Sequence, residues 1–300
     1  QSQALTLWEQ GDYHGALSPA RQALRIRESI LGSRHLKVAE SFNVLGLAFH
    51  HLAEIDQALE SHERALDIRE KLAGTNSVEV SESLTHLSRV WISKGDFPKA
   101  QAMLEQALAI REQAFGPTHT AVAETLMYLA MVQGLQMNLK NALATQARAV
   151  DIFDKDDHSP PIEHSMALTS YGVILSLNGE LAKGKSLLER ALLLQEGTLG
   201  PTHPILARTL DSLAELQTKI GHQDEALPLV KRALHIREHR FGPDHPEVAA
   251  SLNTIGTLLW KQGDLPQAAQ SFQRALTIVE RSVGSQHPVV AATLLSLGEI

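Results

Sequence analysis

Residues 246–284 read PEVAASLNTIGTLLWKQGDLPQAAQSFQRALTIVERSVG, an order that spells two helices joined by a tight turn. Pro246 suits the first turn of a helix, where its missing N–H would have no partner in any case. Val248, Leu252, Ile255 and Leu259 recur at helical spacing, so the first helix is expected to end near Gln262. Gly263 supplies a left-handed stop, Asp264 can cap the next helix by accepting backbone N–H groups, and Pro266 falls inside the following first turn. The second helix turns Ala268, Phe272, Ala275, Leu276 and Ile278 inward and closes before Gly284. Each helix should hold about 17 residues and run roughly 25 Å.

The same unit is copied along the chain. Alanines stand 42 residues apart at Ala23, Ala65, Ala107, Ala149, Ala191, Ala233 and Ala275. A second column reads Ala16, Ala58, Ala100, Ala142, Gly184, Ala226 and Ala268, and a third reads Ala4, Gly46, Ser88, Ala130, Gly172, Ala214, Gly256 and Gly298. Small side chains at fixed offsets are what two helix backbones need in order to approach closely, whereas surface positions drift. The copies must therefore pack on one another as a single array over residues 1–300, about seven units with partial ones at each end.

Composition agrees. The chain is 43% hydrophobic and only 4% aromatic, so the core is built from Leu, Ile, Val and Ala at helical spacing, an all-α class. A net charge of -7 gives no basic footprint for nucleic acid. Zero cysteines remove disulfides, thiol catalysis and thiolate metal sites, and are compatible with a reducing cytoplasm. No apolar run reaches the roughly 18 to 20 residues of a membrane span, so a soluble chain with no membrane contact is expected. Gln1 opens partway into a helix and Ile300 lies inside another, which reads as a fragment of a longer polypeptide and predicts end-to-end association through exposed terminal faces.

The turns between units carry Gly-x-x-His-Pro or a relative of it, at 200–204, 242–246 and 284–288, with weaker copies at 32–35 and 116–119. Gly-Asp pairs mark the turn within a unit at Gly11-Asp12, Gly95-Asp96 and Gly263-Asp264. The turn histidines recur once per unit without partners at ligand spacing, and His50, His51, His158 and His164 show no His-x-x-x-His on one face, so a structural role is expected and no metal site or cofactor. One junction differs. Residues 154–161, Asp-Lys-Asp-Asp-His-Ser-Pro-Pro, lack the helix-stopping glycine and read either as a drifted surface loop or as a hinge dividing the array.

A stretch such as Ala233-Leu234-His235-Ile236-Arg237-Glu238, followed by residues 241–253, FGPDHPEVAASLN, resembles the 42-residue tetratricopeptide repeats of kinesin light chains, a class also used by bacterial signalling and effector proteins. The spacing of twelve residues from Gly256 to Ala268 and seven from Ala268 to Ala275 matches the small-residue offsets of that helix pair, and the likeness covers essentially the whole chain. It implies a right-handed superhelical solenoid of antiparallel helix pairs. It also implies a concave groove, lined by first helices, in which the Asn of a Ser-Leu-Asn motif contacts the backbone of a bound peptide. Here the motif matches at Ser41-Phe42-Asn43 and Ser251-Leu252-Asn253, while Thr85, Met127, Thr169, Asp211 and Leu295 stand at the equivalent positions elsewhere.

The residues expected to face the groove fall into two sets. The first half offers Glu40, Glu82 and Glu124 as a carboxylate ladder, with Asn43, His86, Met127, Tyr128 and Met131; the second offers Arg208, Asp211, Lys219, Asn253, Trp260 and Lys261. Glutamate at a helix start can equally serve the helix dipole. Met127 and Met131, one turn apart around Tyr128, suit a surface that accepts apolar anchors, or a buried core.

The leading expectation is an interaction scaffold that binds a peptide or helix of a protein partner through distributed contacts on a preformed surface. The alternative is a sensor or regulatory arm of a larger signalling or effector protein, such as a CHAT protease or a STAND NTPase, whose other domain lies outside these residues. An enzyme is not expected: there is no cysteine, no glycine-rich phosphate loop, no nucleophile elbow and no acid–base pair that stands out from the repeat.

Overall fold

The computed structural model describes residues 13–283 and 288–298. Among them lie fourteen α-helices: α1 (Tyr13–Leu31), α2 (Leu36–His51), α3 (Ile55–Ala73), α4 (Val78–Lys94), α5 (Phe97–Phe115), α6 (Thr120–Leu135), α7 (Leu139–Lys155), α8 (Pro161–Leu177), α9 (Leu181–Leu199), α10 (Ile205–Ile220), α11 (Gln223–Phe241), α12 (Pro246–Lys261), α13 (Leu265–Val283) and α14 (Pro288–Gly298). Ala4, Gly11, Asp12 and Glu299, which the repeat pattern also places, lie outside the described residues. No helix among the described residues is long and apolar enough to cross a membrane.

The chain divides into two compact units, Gln1–Asp157 and His158–Ile300, within the stretch that lacks the glycine stop. Unit 1 holds α1 to α7 and unit 2 holds α8 to α14; within each, every helix packs on the next in sequence as antiparallel pairs. The stretch 246–283 folds as two helices joined by a tight turn, and Gly284 lies outside the described residues. Val248, Leu252, Ile255 and Leu259 of α12 are buried against Ala268, Phe272, Ala275 and Ile278 of α13. The alanines from Ala65 to Ala275 in the first column are fully buried. A close backbone approach joins α8 and α9: a Cβ at Gly172 would lie 2.9 Å from the carbonyl oxygen of Gly184, which helix hydrogen bonding holds in place.

Both kinds of turn have a physical signature. After the second helices, Gly74, Gly116, Gly200 and Gly242 take φ values of 82 to 87° and donate N–H to the carbonyl four residues back. Four of the next helices are then capped by a histidine, Nδ1 of His35, His119, His203 and His245 accepting the backbone N–H two residues on at 3.0 to 3.3 Å, and α4 by Ser77. These periodic histidines are therefore explained by an acceptor nitrogen at the start of α2, α6, α10 and α12.

Candidate functional site

In unit 1 the first-helix face is built by α2, α4 and α6, and one side chain per repeat locks it from behind. Arg27, Arg69 and Arg111, 42 residues apart on the second helices, each reach across to the next first helix. Their Nη1 atoms donate to the carbonyls of Lys37, Glu79 and Ala121 at 2.6 to 2.8 Å and to the hydroxyls of Ser41, Ser83 and Thr125 at 2.9 Å. The same guanidiniums pair with the glutamates of the ladder: Arg27 with Glu40 at 3.5 Å, Arg69 with Glu82 at 3.1 Å and Arg111 with Glu124 at 3.5 Å. Glu40 also meets Lys37. These carboxylates are thus charge-balanced from below, yet their side chains remain 35, 47 and 42% exposed, so one edge of each stays open to solvent.

Asn43 is engaged inward. It is buried, and with its amide oriented so that the nitrogen donates to His62 Nδ1 at 3.0 Å, its oxygen accepts from Arg69 at 2.9 Å. His62 fills the space that a side chain at position 46 would take, since a Cβ on Gly46 would come within 2.6 Å of the ring. The His86 ring stacks on His62 with centroids 5.2 Å apart, and its Nδ1 is buried without a partner. Burial, reinforced for His62 by His86 and His50 and for His86 by Arg89 and Arg69, lowers His62 to about 2 and His86 to about 3. His50, which contacts Ser93 Oγ at 2.8 Å, is lowered to about 4 by burial and by Arg89. Arg89 stacks over the half-buried Tyr128 at 5.6 Å; Met127 is half-buried and Met131 exposed. Of the unit 1 residues expected at the groove, Met131 is exposed and Tyr128 half-buried, whereas His86 is packed on His62 and Asn43 is spent on internal bonds.

In unit 2 the first helices α10, α12 and α14, with Phe272 of α13, line an open cavity of about 520 Å³. Asp211, Lys219, Asn253 and Lys261 line it, together with Glu215, Thr257 and Ser296. Burial raises the Asp211 carboxyl above the usual carboxylate range, against the pull of its ion pair with Arg237. Lys219 pairs with Glu215 at 2.8 Å, and Lys261 has no carboxylate partner among the described residues. Asn253 donates to Thr293 Oγ1 at 3.2 Å, while its Oδ1 is buried with no hydrogen-bond partner. Arg208 lines a separate cavity of about 130 Å³, and Trp260, 39% exposed, lines neither.

Sequence reasoning missed the arginine locks and the stacked histidines. The locks carry a visible signal, Arg27, Arg69, Arg111 and Arg237 on the 42-residue period; the histidines carry none, because His62 and His86 belong to different columns.

A family model described as Tetratricopeptide repeat matches residues 2–71, 79–155, 163–239, 224–281 and 247–300. No curated protein matches the chain. Solved structures resemble it at low identity, which carries the fold alone. The kinesin light chain nearly identical TPR-like repeats of Podosopora anserina are 21% identical with a TM-score of 0.56, covering 68% of this chain and 97% of that one. BtubC (BKLC) from P. vanneervenii is 19% identical with a TM-score of 0.61, covering 77% and 92%. The Rap conjugation gene regulator of the plasmid pLS20, solved in complex with the Phr* peptide, is 16% identical with a TM-score of 0.68, covering 95% and 75%.

Proposed function

The chain belongs to the tetratricopeptide repeat family, whose fold serves generally as a protein-interaction scaffold and is typically non-catalytic, and on that premise we propose that unit 2 receives a peptide or helix of a protein partner on its first-helix face. The observation that carries this reading is the 520 Å³ cavity between α10, α12 and α14, with an uncommitted buried acceptor, Asn253 Oδ1, and an ammonium, Lys261, that has no carboxylate partner among the described residues. A buried acceptor without a donor is costly by about 1–3 kcal/mol, and a peptide N–H laid into the cavity would recover that. Lys261 would hold a carboxylate of the same segment. Preformed walls lower the ordering cost of binding, so modest contacts suffice. The likeness in fold to a Rap regulator solved with a peptide supports the reading.

The test is selection of peptides from a displayed random library on the intact chain, followed by calorimetry of the winners against Asn253→Ala and Lys261→Glu. Each substitution is expected to weaken binding by about tenfold, the worth of one hydrogen bond or ion pair out of water. Winners that bind both variants as tightly as the original chain would remove this face from consideration. A regulatory arm of a larger signalling protein would use the same face, and the full-length gene distinguishes the two by showing whether a second domain accompanies the repeats.

A further inference from the structure

The column of locking arginines has one polar exception. It reads Arg27, Arg69, Arg111, Phe153, Gln195 and Arg237, so Gln195 on α9 stands where sister repeats place a guanidinium. In Arg111 the Nε atom donates to Ser81 Oγ, thirty residues back, at 3.2 Å, while Nη1 reaches onward to the carbonyl of residue 121 and the hydroxyl of residue 125. Gln195 reproduces only the first half: its Nε2 donates to Ser165 Oγ, again thirty residues back, at 3.3 Å. Ser165 already donates its own proton to the Ile162 carbonyl at 2.7 Å, so it must accept from the amide, which fixes the amide orientation.

What the shorter side chain leaves is a cavity of about 130 Å³ lined by Met166, Thr169, Gln195, Ile205, Arg208 and Thr209. Ile205 and Thr209 are the two stations an arginine would have served; Thr209 turns instead to Thr169, hydroxyl to hydroxyl, at 3.0 Å. Gln195 is 1% exposed and its Oε1 is buried with no hydrogen-bond partner. At the rim, where sister repeats carry Glu40, Glu82 and Glu124, this one carries Arg208, exposed and with no carboxylate partner among the described residues. The charge order of the sister sites, cation inside and anion outside, is replaced by a neutral acceptor inside and a cation outside.

That order selects a ligand chemistry. An ammonium or guanidinium would satisfy Gln195 Oε1 but meet Arg208 at the entrance. A carboxylate would pair with Arg208 but set its oxygens against an acceptor. A primary carboxamide satisfies both, donating N–H to Gln195 Oε1 and accepting from the Arg208 guanidinium through its carbonyl. The volume is about four times a water's share of the liquid, room for an amide and the methylenes that Met166 and Ile205 would cover. We propose that this cavity is a subsite for an asparagine or glutamine side chain of the segment bound on the first-helix face of unit 2. The proposal rests on the preceding functional reading but shares no lining residue with the Asn253 cavity.

The experiment titrates the intact chain, labelled at methionine methyls, with propionamide, propionate and ethylammonium, and follows the Met166 signal. Propionamide is expected to give a saturable shift at Met166, with the two charged isosteres about tenfold weaker or worse, the difference made by one hydrogen bond. Gln195→Arg combined with Arg208→Glu restores the sister arrangement, fills the cavity and is expected to abolish the shift while the thermal melt stays cooperative. No response at Met166, equal responses to the three probes, or saturation that survives the double substitution would each overturn the proposal. Because the double variant leaves the Asn253 cavity intact, selected peptides scored against Asn253→Ala report separately on the groove itself.

Discussion

Asn43 shows how a side chain chosen for one role is held in another. Its motif, Ser41-Phe42-Asn43, is the one that implies a contact to a bound peptide, yet the amide bridges His62 Nδ1 and Arg69 beneath the face. His62 makes the difference: the same column reads Leu104 and Leu188 in other repeats, which offer an amide nothing to bond. Asn43→Ala would strip a buried imidazole and a guanidinium of their partner, and it is expected to lower the unfolding free energy by about 1–3 kcal/mol. A shifted urea midpoint with unchanged affinity for a selected peptide is the predicted result; weaker binding at unchanged stability would restore Asn43 to the ligand face. Asn253, with the same motif and Thr293 as its partner, keeps its oxygen uncommitted because no histidine stands behind it.

At the scale of the helix pair, the turn between first and second helix keeps one backbone sign in six repeats. The residue at its hinge reads Ala53, Gly95, Met137, Gly179, Gly221 and Gly263 at 42-residue intervals, and all six have positive φ, 59 and 61° at the two non-glycine positions. An L side chain in the left-handed region costs about 1–2 kcal/mol, part of which glycine would return as chain entropy on unfolding. Met137 is 78% exposed and gives up no packing, so Met137→Gly is expected to raise the unfolding free energy by roughly 0.5–1 kcal/mol. Differential scanning calorimetry should show a higher Tm; an unchanged or lower one would mean that the thioether contributes more than its exposure suggests. The second helices tie to one another in the same periodic way, Arg148 to Glu112, Arg232 to Glu196 and Arg274 to Glu238, each guanidinium also accepted by the proline carbonyl of the intervening turn.

For the molecule as a whole, the buried histidines make acid a selective denaturant of unit 1. His62 and His86 are faced by Asn43, Arg69, Arg89, Arg111 and His50, with no carboxylate among the groups that set their charge. Their folded pKa values lie near 2 and 3, below the ordinary 6.5, so between those limits the unfolded chain binds protons that the folded unit excludes. Stability is therefore fully present above pH 6.5 and falls as pH drops toward 3, with a slope approaching about 1.4 kcal/mol per pH unit for each histidine. Hydrogen exchange corrected for intrinsic rates should lose protection first in α2, α3 and α4 on going from pH 7 to pH 5, and His62→Leu should flatten the dependence. Equal loss in both units, or a slope that survives the substitution, would contradict it. The periodic sequence alone determined the helix pairs, their seams, their turns and the family, because close backbone contact tolerates only small residues at fixed offsets and each unit repeats the same local solution. It also put Asp211 in one column with Asn253 and Lys219 in one with Lys261, and a shared column means a shared helix side. Tertiary structure alone decided which of those groups keep an uncommitted atom, for that depends on what a different helix places within about 3 Å, as His62 does for Asn43 and as Gln195, too short to cross, fails to do for Thr209.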